Sequence, residues 1–241
     1  MYYFWATNKN SDLIPIIDVI IPVYNEVDSI GNVILEIPKE IVRHIIVCDN
    51  GSTDNTSAVA SAAGAIVVYQ PKKGYGNACL KGMDFVSALD RKPDIIVFLD
   101  GDYSDYPEEI TQLIRPVIEK NDDMVIGSRA LGIMESGAMM PQQIFGNWLA
   151  TNLIKSIYNY SFTDLGPFRA IKYDKLMAMK MADKTFGWTV EMQVKAAKMK
   201  LKTSEIPVRY RKRIGKSKVS GTIKGTILAG HKILWTIFKL I

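Results

Sequence analysis

With 241 residues, the chain is long enough to bury one sizeable α/β core, and its 48% hydrophobic, 23% charged and 10% aromatic residues exclude a disordered, collagenous or coiled-coil protein. Two cysteines and two histidines are too few for a disulfide framework or a Cys/His metal centre, which leaves hard cations on oxygen ligands as the available metal chemistry. The net charge of +5 is divided unevenly: from Lys195 onward thirteen basic residues face the single acid Glu205, a balance of +12, and the remainder of the chain carries −7.

Met1 to Thr7 lacks the basic-then-apolar order of a secretory signal, and no run approaches the ~20 apolar residues of a membrane span, so a cytoplasmic location is expected. From Leu13 to Arg129 apolar runs alternate with helix-like stretches. The runs are continuous, as in strands buried on both faces of a parallel sheet. Strands are predicted at Ile16–Val23, His44–Asp49, Ala65–Tyr69, Asp94–Asp100 and Asp122–Gly127, with helices at Ser29–Ile37, Asn55–Ala63, Tyr75–Leu89 and Pro107–Glu119. Such alternation implies right-handed crossovers and a doubly wound α/β sheet, in which ligands bind beyond the carboxyl ends of the strands. After Arg129 the rhythm changes. A Gly- and Met-rich loop (Ala130–Met140) precedes an amphipathic helix (Gln142–Tyr160), a turn with a short strand (Thr163–Ile171), a helix (Thr185–Leu201), an alternating strand (Glu205–Arg213) and a Gly/Ser/Lys loop (Ile214–Thr222).

Polar residues gather at the strand ends. Asp49-Asn-Gly-Ser-Thr-Asp54 reads as an Asn-Gly turn and helix cap, and its first carboxylate also suits hydrogen bonds to a base or ribose. Asp100-Gly-Asp102 sets two carboxylates one residue apart at a strand terminus, where they repel unless a cation lies between them. Mg²⁺ or Mn²⁺ bridging a diphosphate would meet that need. Lys72-Lys-Gly-Tyr-Gly-Asn-Ala78 opens a helix, so its backbone N–H groups and lysines can meet phosphate oxygens. Without the Walker or the dinucleotide pattern, ATPase and hydride-transfer readings are disfavoured.

Val19-Ile-Ile-Pro-Val-Tyr-Asn-Glu26, Val47-Cys-Asp-Asn-Gly-Ser-Thr-Asp54, Lys73-Gly-Tyr-Gly-Asn-Ala78, Asp100-Gly-Asp102 and Gly127-Ser-Arg129, in this order and spacing, resemble the family 2 glycosyltransferases of the GT-A fold. Within that family the chain is most similar, from about Asp18 to Ser220, to the dolichol- or polyprenyl-phosphate mannose and glucose synthases. The resemblance implies an inverting enzyme with a nucleotide-sugar donor and Mg²⁺ or Mn²⁺, working peripherally on the inner, cytoplasmic face of a membrane. It implies a Rossmann-like, mostly parallel sheet in one domain at 13–221, with a nucleotide-binding half at 13–105 and an acceptor half at 106–221. An arm at 1–12 and a helix at 222–241 flank it. By the same resemblance Pro22, Tyr24, Glu26, Asp49, Lys73, Asp100, Gly101 and Lys218 surround the nucleotide sugar, with Asp100 and Asp102 on the metal. Arg129, Arg169, Arg211 and Ser217 would meet the acceptor, and Asp102, Arg129, Glu191 and Arg213 would serve the transfer itself. Two departures stand out: Leu165-Gly-Pro replaces the usual Ser-Gly before Phe168-Arg169, and Ser104 stands where the family often has Gln.

A lipid phosphate attacks without a base, so positioning and charge neutralisation by arginines, Arg209 among them, supply the catalysis. A hydroxyl acceptor would instead require a base such as Glu191, whose other reading is an ion pair with Lys195 at i+4. In Thr222–Ile241 an apolar stripe (Ile223, Ile227, Leu234, Phe238, Ile241) with Leu228 and Trp235 beside it opposes Gly225, Lys232 and Lys239. This amphipathic helix suits an anionic membrane surface or packing on the domain. The basic tail would also attract nucleic acid, but no nucleic-acid module accompanies it, and no nucleic-acid partner is expected.

Overall fold

The computed structural model describes residues 15–215 and 223–241; the arm predicted at 1–12, Ser217 and Lys218 lie outside the described residues. Among these described residues seven strands form one sheet: β1 (Ile17–Val23), β2 (Val42–Asp49), β3 (Ile66–Tyr69), β4 (Ile95–Phe98), β5 (Met124–Ser128), β6 (Arg169–Lys172) and β7 (Thr203–Pro207). Their order is β3-β2-β1-β4-β6-β5-β7. Only β6 runs antiparallel to its neighbours, β4 and β5, and every other pairing is parallel. The expected mostly parallel α/β sheet is thus observed.

Helices α1 (Ile30–Glu36), α2 (Thr56–Ala62) and α4 (Ile110–Glu119) cover one face, and α3 (Tyr75–Ala88), α5 (Pro141–Tyr158), α6 (Tyr173–Ala178), α7 (Trp188–Lys198) and α8 (Ile223–Lys239) contribute to the other. Side chains alternate between the faces of a strand, and both faces are buried here. Val19, Ile21 and Val23 of β1 pack with Val33, Ile34, Leu113 and Ile114, while Ile20 packs with Ala78, Met83 and Val86. Burial on both sides is why the strands read as unbroken apolar runs. In α4 the buried Ile110, Leu113, Ile114 and Val117 follow the helical i, i+3, i+4, i+7 spacing.

Several boundaries differ from expectation. β4 stops at Phe98, freeing Asp100 and Asp102 to lie in the following loop. β7 ends at Pro207, where its partner β5 ends at Ser128, and residues 208–214 continue as a strap. Arg211 N–H donates to the Ser104 carbonyl at 2.9 Å and Ile214 N–H to that of Asp102 at 3.0 Å, so the alternating segment finds its partners on a loop rather than in the sheet. The predicted helix at Thr185 begins only at Trp188. Helix α6, six residues long, is too short to show a periodicity.

Helix α8 is packed on the domain through Thr236 and Ile237. The Tyr158 hydroxyl donates to the Ile237 carbonyl at 2.6 Å, and Lys232 pairs with Asp183 at 2.8 Å. A second apolar stripe, Ile227, Leu228, Trp235, Phe238 and Ile241, faces outward.

Candidate active site

The carboxyl ends of β1, β2 and β4 and the start of α3 enclose a cleft of about 430 Å³. Beyond β1 the chain reverses at Asn25, in the left-handed region at φ 54°, a conformation asparagine tolerates. The turn is tied to the loop after β2, because Asn25 N–H donates to Ser52 Oγ at 2.9 Å and Thr53 N–H to Asn25 Oδ1 at 2.8 Å. Pro22, Tyr24 and Glu26 thereby line the cleft. Lys73 lines it from the other side. Its ammonium lies 3.7 Å over the Tyr24 ring and donates to the carbonyls of Asn50 and Gly51 at 3.0 and 2.7 Å.

Asp49 is placed differently from the expectation. It is buried, one oxygen accepting Ser52 N–H at 2.7 Å and the other the Ser57 hydroxyl, so it shapes the turn and does not line the cleft. Asn50 lines the cleft instead and cross-ties the loops, donating to the Gln70 and Lys72 carbonyls and accepting Gly74 N–H at 2.7 Å.

Asp100, Gly101 and Asp102 form the cleft floor. A Cβ on Gly101 would lie 2.6 Å from Val23 Cγ1, so only glycine lets this loop sit against β1. Tyr75 donates its hydroxyl to Asp100 Oδ1 at 2.9 Å. Burial, and then the charge of Asp102, push the Asp100 carboxyl up to about 7. Asp102 Oδ1 accepts Ser104 N–H at 3.0 Å and the Ser104 hydroxyl at 2.5 Å. Its Oδ2 lies 3.1 Å from Arg213, which also reaches Glu26 at 3.1 Å.

Asp105, three residues on, is buried with neither carboxyl oxygen hydrogen-bonded, and burial together with Asp100 and Asp102 pushes it well above the carboxylate range. Among the described residues no three Asp, Glu, His or Cys side chains are placed to hold a metal ion by themselves. Asp100 and Asp102 nevertheless fit a divalent ion that draws its other ligands from a bound diphosphate, because their charges meet at the cleft floor and the Arg213 guanidinium already stands there as a cation.

The remaining expected site residues fall in other surroundings. Arg129, after β5, makes a forked pair with Asp164 through Nε and Nη2 at 2.8 and 2.7 Å and faces the Tyr210 ring at 5.1 Å. Burial opposes its charge, but Asp164 overcomes this and raises its pKa. Arg169 cannot meet an acceptor as expected. It is fully buried and donates to the carbonyls of Leu165, Gly166 and Thr189, and burial lowers it to about 10.

Arg211 is likewise spoken for, held by Glu36 at 3.0 Å and the Tyr103 carbonyl at 2.7 Å. Glu191 is buried outside the cleft lining. Its carboxylate accepts the N–H groups of Ala182 and Asp183 and pairs with Lys195 at 2.7 Å, the i+4 ion pair expected as its other reading.

Of the N–H groups expected to meet phosphate at the start of α3, those of Gly76 and Asn77 donate instead to the Thr185 and Lys184 carbonyls at 3.2 and 3.0 Å. A Cβ on Gly76 would lie 2.0 Å from the Asp183 carbonyl oxygen, so the glycine admits the 183–186 loop. That loop carries Phe186 into the cleft. Sequence reasoning missed Tyr75, Asn50 and Phe186. The first two stand inside motifs already singled out, whereas nothing local marks Phe186.

A model described as glycosyl transferase family 2 matches residues 18–180. Glycosyltransferase AglJ of Haloferax volcanii is 32% identical over 194 residues, 80% of this chain, and the chain spans 62% of the length of that protein. An undecaprenyl-phosphate mannosyltransferase of Micrococcus luteus is 29% identical over 220 residues, 86% of this chain and 88% of that protein. Among solved structures, glucosyl-3-phosphoglycerate synthase from Mycobacterium tuberculosis in complex with Mn²⁺, UDP and phosphoglyceric acid shares the fold. Its TM-score is 0.75 at 20% identity, over 94% of this chain and 78% of that one.

Proposed function

The chain belongs to glycosyl transferase family 2, and on that premise we propose that it moves a hexose from a UDP- or GDP-sugar to a polyprenyl phosphate at the cytoplasmic face of a membrane. The observation that carries the acceptor is the outward apolar surface of two helices. Ile144, Phe145 and Trp148 on α5 and Ile227, Leu228, Trp235 and Phe238 on α8 are all exposed. Tryptophan with aliphatic neighbours suits the water–lipid boundary. Among the described residues no helix is long and apolar enough to cross a membrane, and the attachment proposed is to the membrane surface. The Micrococcus relative, named for undecaprenyl phosphate, supports the same acceptor class.

In this reading residues 13–105 serve the donor and 106–221 the acceptor. Pro22, Tyr24, Asn50 and Lys73 hold the nucleoside, while Asp100 and Asp102 are the ligands of Mg²⁺ or Mn²⁺. Mn²⁺ and UDP in the glucosyl-3-phosphoglycerate synthase complex support the use of a divalent ion with a nucleotide. The ion, when bound, offsets the charge on the departing nucleoside diphosphate. A lipid phosphate oxygen bonds to the anomeric carbon from the face opposite the leaving group, as the bond from that carbon to the diphosphate oxygen breaks. The attacking oxygen is already anionic, so no base is needed, in keeping with the full engagement of Glu191. Arg129 and Arg213 offset the phosphate charges.

The test supplies UDP-[¹⁴C]glucose or GDP-[¹⁴C]mannose with undecaprenyl phosphate in detergent and Mn²⁺. Label is expected in the organic phase with one donor, and Asp102→Asn should lower the rate by about 10²- to 10³-fold, the scale of losing one charge-stabilising group. Transfer only to a water-soluble hydroxyl acceptor, abolished by Glu191→Gln, would refute the lipid-phosphate reading.

A further inference from the structure

We propose that Arg213 is the resident counter-cation of the metal-side carboxylates, and that it passes from them to the donor's diphosphate when metal and donor bind together. The proposal rests on the glycosyltransferase reading of the cleft. In the ligand-free protein the Arg213 guanidinium spans two strand ends, with Nη1 3.1 Å from Asp102 Oδ2 and Nη2 3.1 Å from Glu26 Oε1. Ser104 occupies Asp102 Oδ1, so Arg213 takes the oxygen left for an ion.

The strap holds Arg213 in this register. Ile214 N–H donates to the Asp102 carbonyl at 3.0 Å. Two residues earlier, the Arg211 guanidinium lies 3.3 Å over the Tyr103 ring and 4.1 Å over that of Tyr106, whose ring also takes Arg209 at 4.0 Å. The alternating arginines and tyrosines fasten the strap to the same loop that carries Asp102.

A guanidinium and a divalent ion repel strongly at such separations and cannot share Asp102 Oδ2. An ion arriving alone must strip Arg213 of its partners and gains only two carboxylates in return, the rest of its shell staying water. A diphosphate arriving with the ion supplies both the missing ligands and a bidentate anion for the freed guanidinium. Metal and nucleotide must then strengthen each other's binding by the same factor.

Mn²⁺ binding, followed by its free-ion electron paramagnetic resonance signal, tests this in the wild type, Arg213→Gln and Arg213→Lys, without nucleotide and with UDP or GDP. Without nucleotide, Arg213→Gln should bind Mn²⁺ about 10-fold more tightly than the wild type, and Arg213→Lys within about threefold of it. The cognate nucleotide should tighten Mn²⁺ binding at least about 10-fold more in the wild type than in Arg213→Gln, where only the ligands of the diphosphate contribute. Arg213→Gln binding nucleotide-free Mn²⁺ no more tightly than the wild type overturns the proposal while leaving the metal site standing. Absence of Mn²⁺ binding in every protein, with either nucleotide, overturns the metal reading and this inference with it.

Discussion

Asp100 sits beside a second carboxylate with one hydroxyl donor, and its carboxyl titrates near 7 in the folded protein, against 3.8 as the reference value. Between these values the folded protein holds a proton that the unfolded chain has lost. Stability of the metal-free enzyme therefore falls as pH rises from about 4 to 7, and the full penalty applies above that window. Asp100→Asn removes the charge and should raise the metal-free unfolding free energy by up to about 4 kcal/mol at pH 8 and much less at pH 5, while abolishing metal-dependent transfer. Urea unfolding with EDTA at the two pH values checks this, and equal effects at both would remove the carboxylate pair as the cause. The pair was legible in the sequence because two adjacent acids at a strand end need no long-range partner to be noticed. The surroundings of Arg169 and Glu191 were not legible for the converse reason, although the Glu191–Lys195 pair was. Their partners, the carbonyls of Leu165, Gly166 and Thr189 and the N–H groups of Ala182 and Asp183, are backbone groups whose positions no residue type announces.

At the scale of elements, α8 carries two apolar stripes where the periodicity showed one. Ile233, Thr236, Ile237 and Leu240 turn to the domain, and Ile227, Leu228, Trp235 and Phe238 turn away from it. Hydropathy reveals that a helix is amphipathic but not which stripe is covered when both exist, because that depends on what α5 and α7 present. The two roles separate by substitution. Trp235→Ser with Phe238→Ser changes only exposed side chains and should alter stability by less than about 0.5 kcal/mol per site, yet it should lower partitioning onto phospholipid vesicles by more than about 10-fold, since each buried aromatic contributes about 1.5–3 kcal/mol. Vesicle sedimentation beside thermal unfolding decides it, and unchanged sedimentation would send the search for a membrane contact to α5. The strap teaches the same lesson. Its alternation was read as a strand, and the alternation is real, but Arg209, Arg211 and Arg213 point at Glu109, Glu36 and Asp102 across a loop rather than out of a sheet.

Across the whole molecule, the opposed charges of the tail and the remainder look at first like a polyanion-binding footprint, and the fold cancels much of that contrast internally. Lys202, Arg209, Arg211 and Arg213 reach back to Asp122, Glu108, Glu109, Glu36, Glu26 and Asp102, while Lys195 and Lys232 pair with Glu191 and Asp183. A basic residue committed to a carboxylate releases no counterion when a polyanion approaches, so the tail's formal charge overstates its attraction for nucleic acid or anionic lipid. The proposed attachment to a bilayer would then draw mainly on the outward apolar stripes, and apolar burial is not screened by salt. Binding to vesicles containing anionic lipid should fall by less than about 10-fold between 50 and 500 mM salt, where contact through six or more free cations would lose several powers of ten. Sedimentation with vesicles across that salt range, with an oligonucleotide as competitor, measures it. A steep loss with salt, or displacement by the oligonucleotide, would mean that the basic side chains, not the tryptophan-bearing stripes, make the contact, and that the pairs seen in the strap open at the surface.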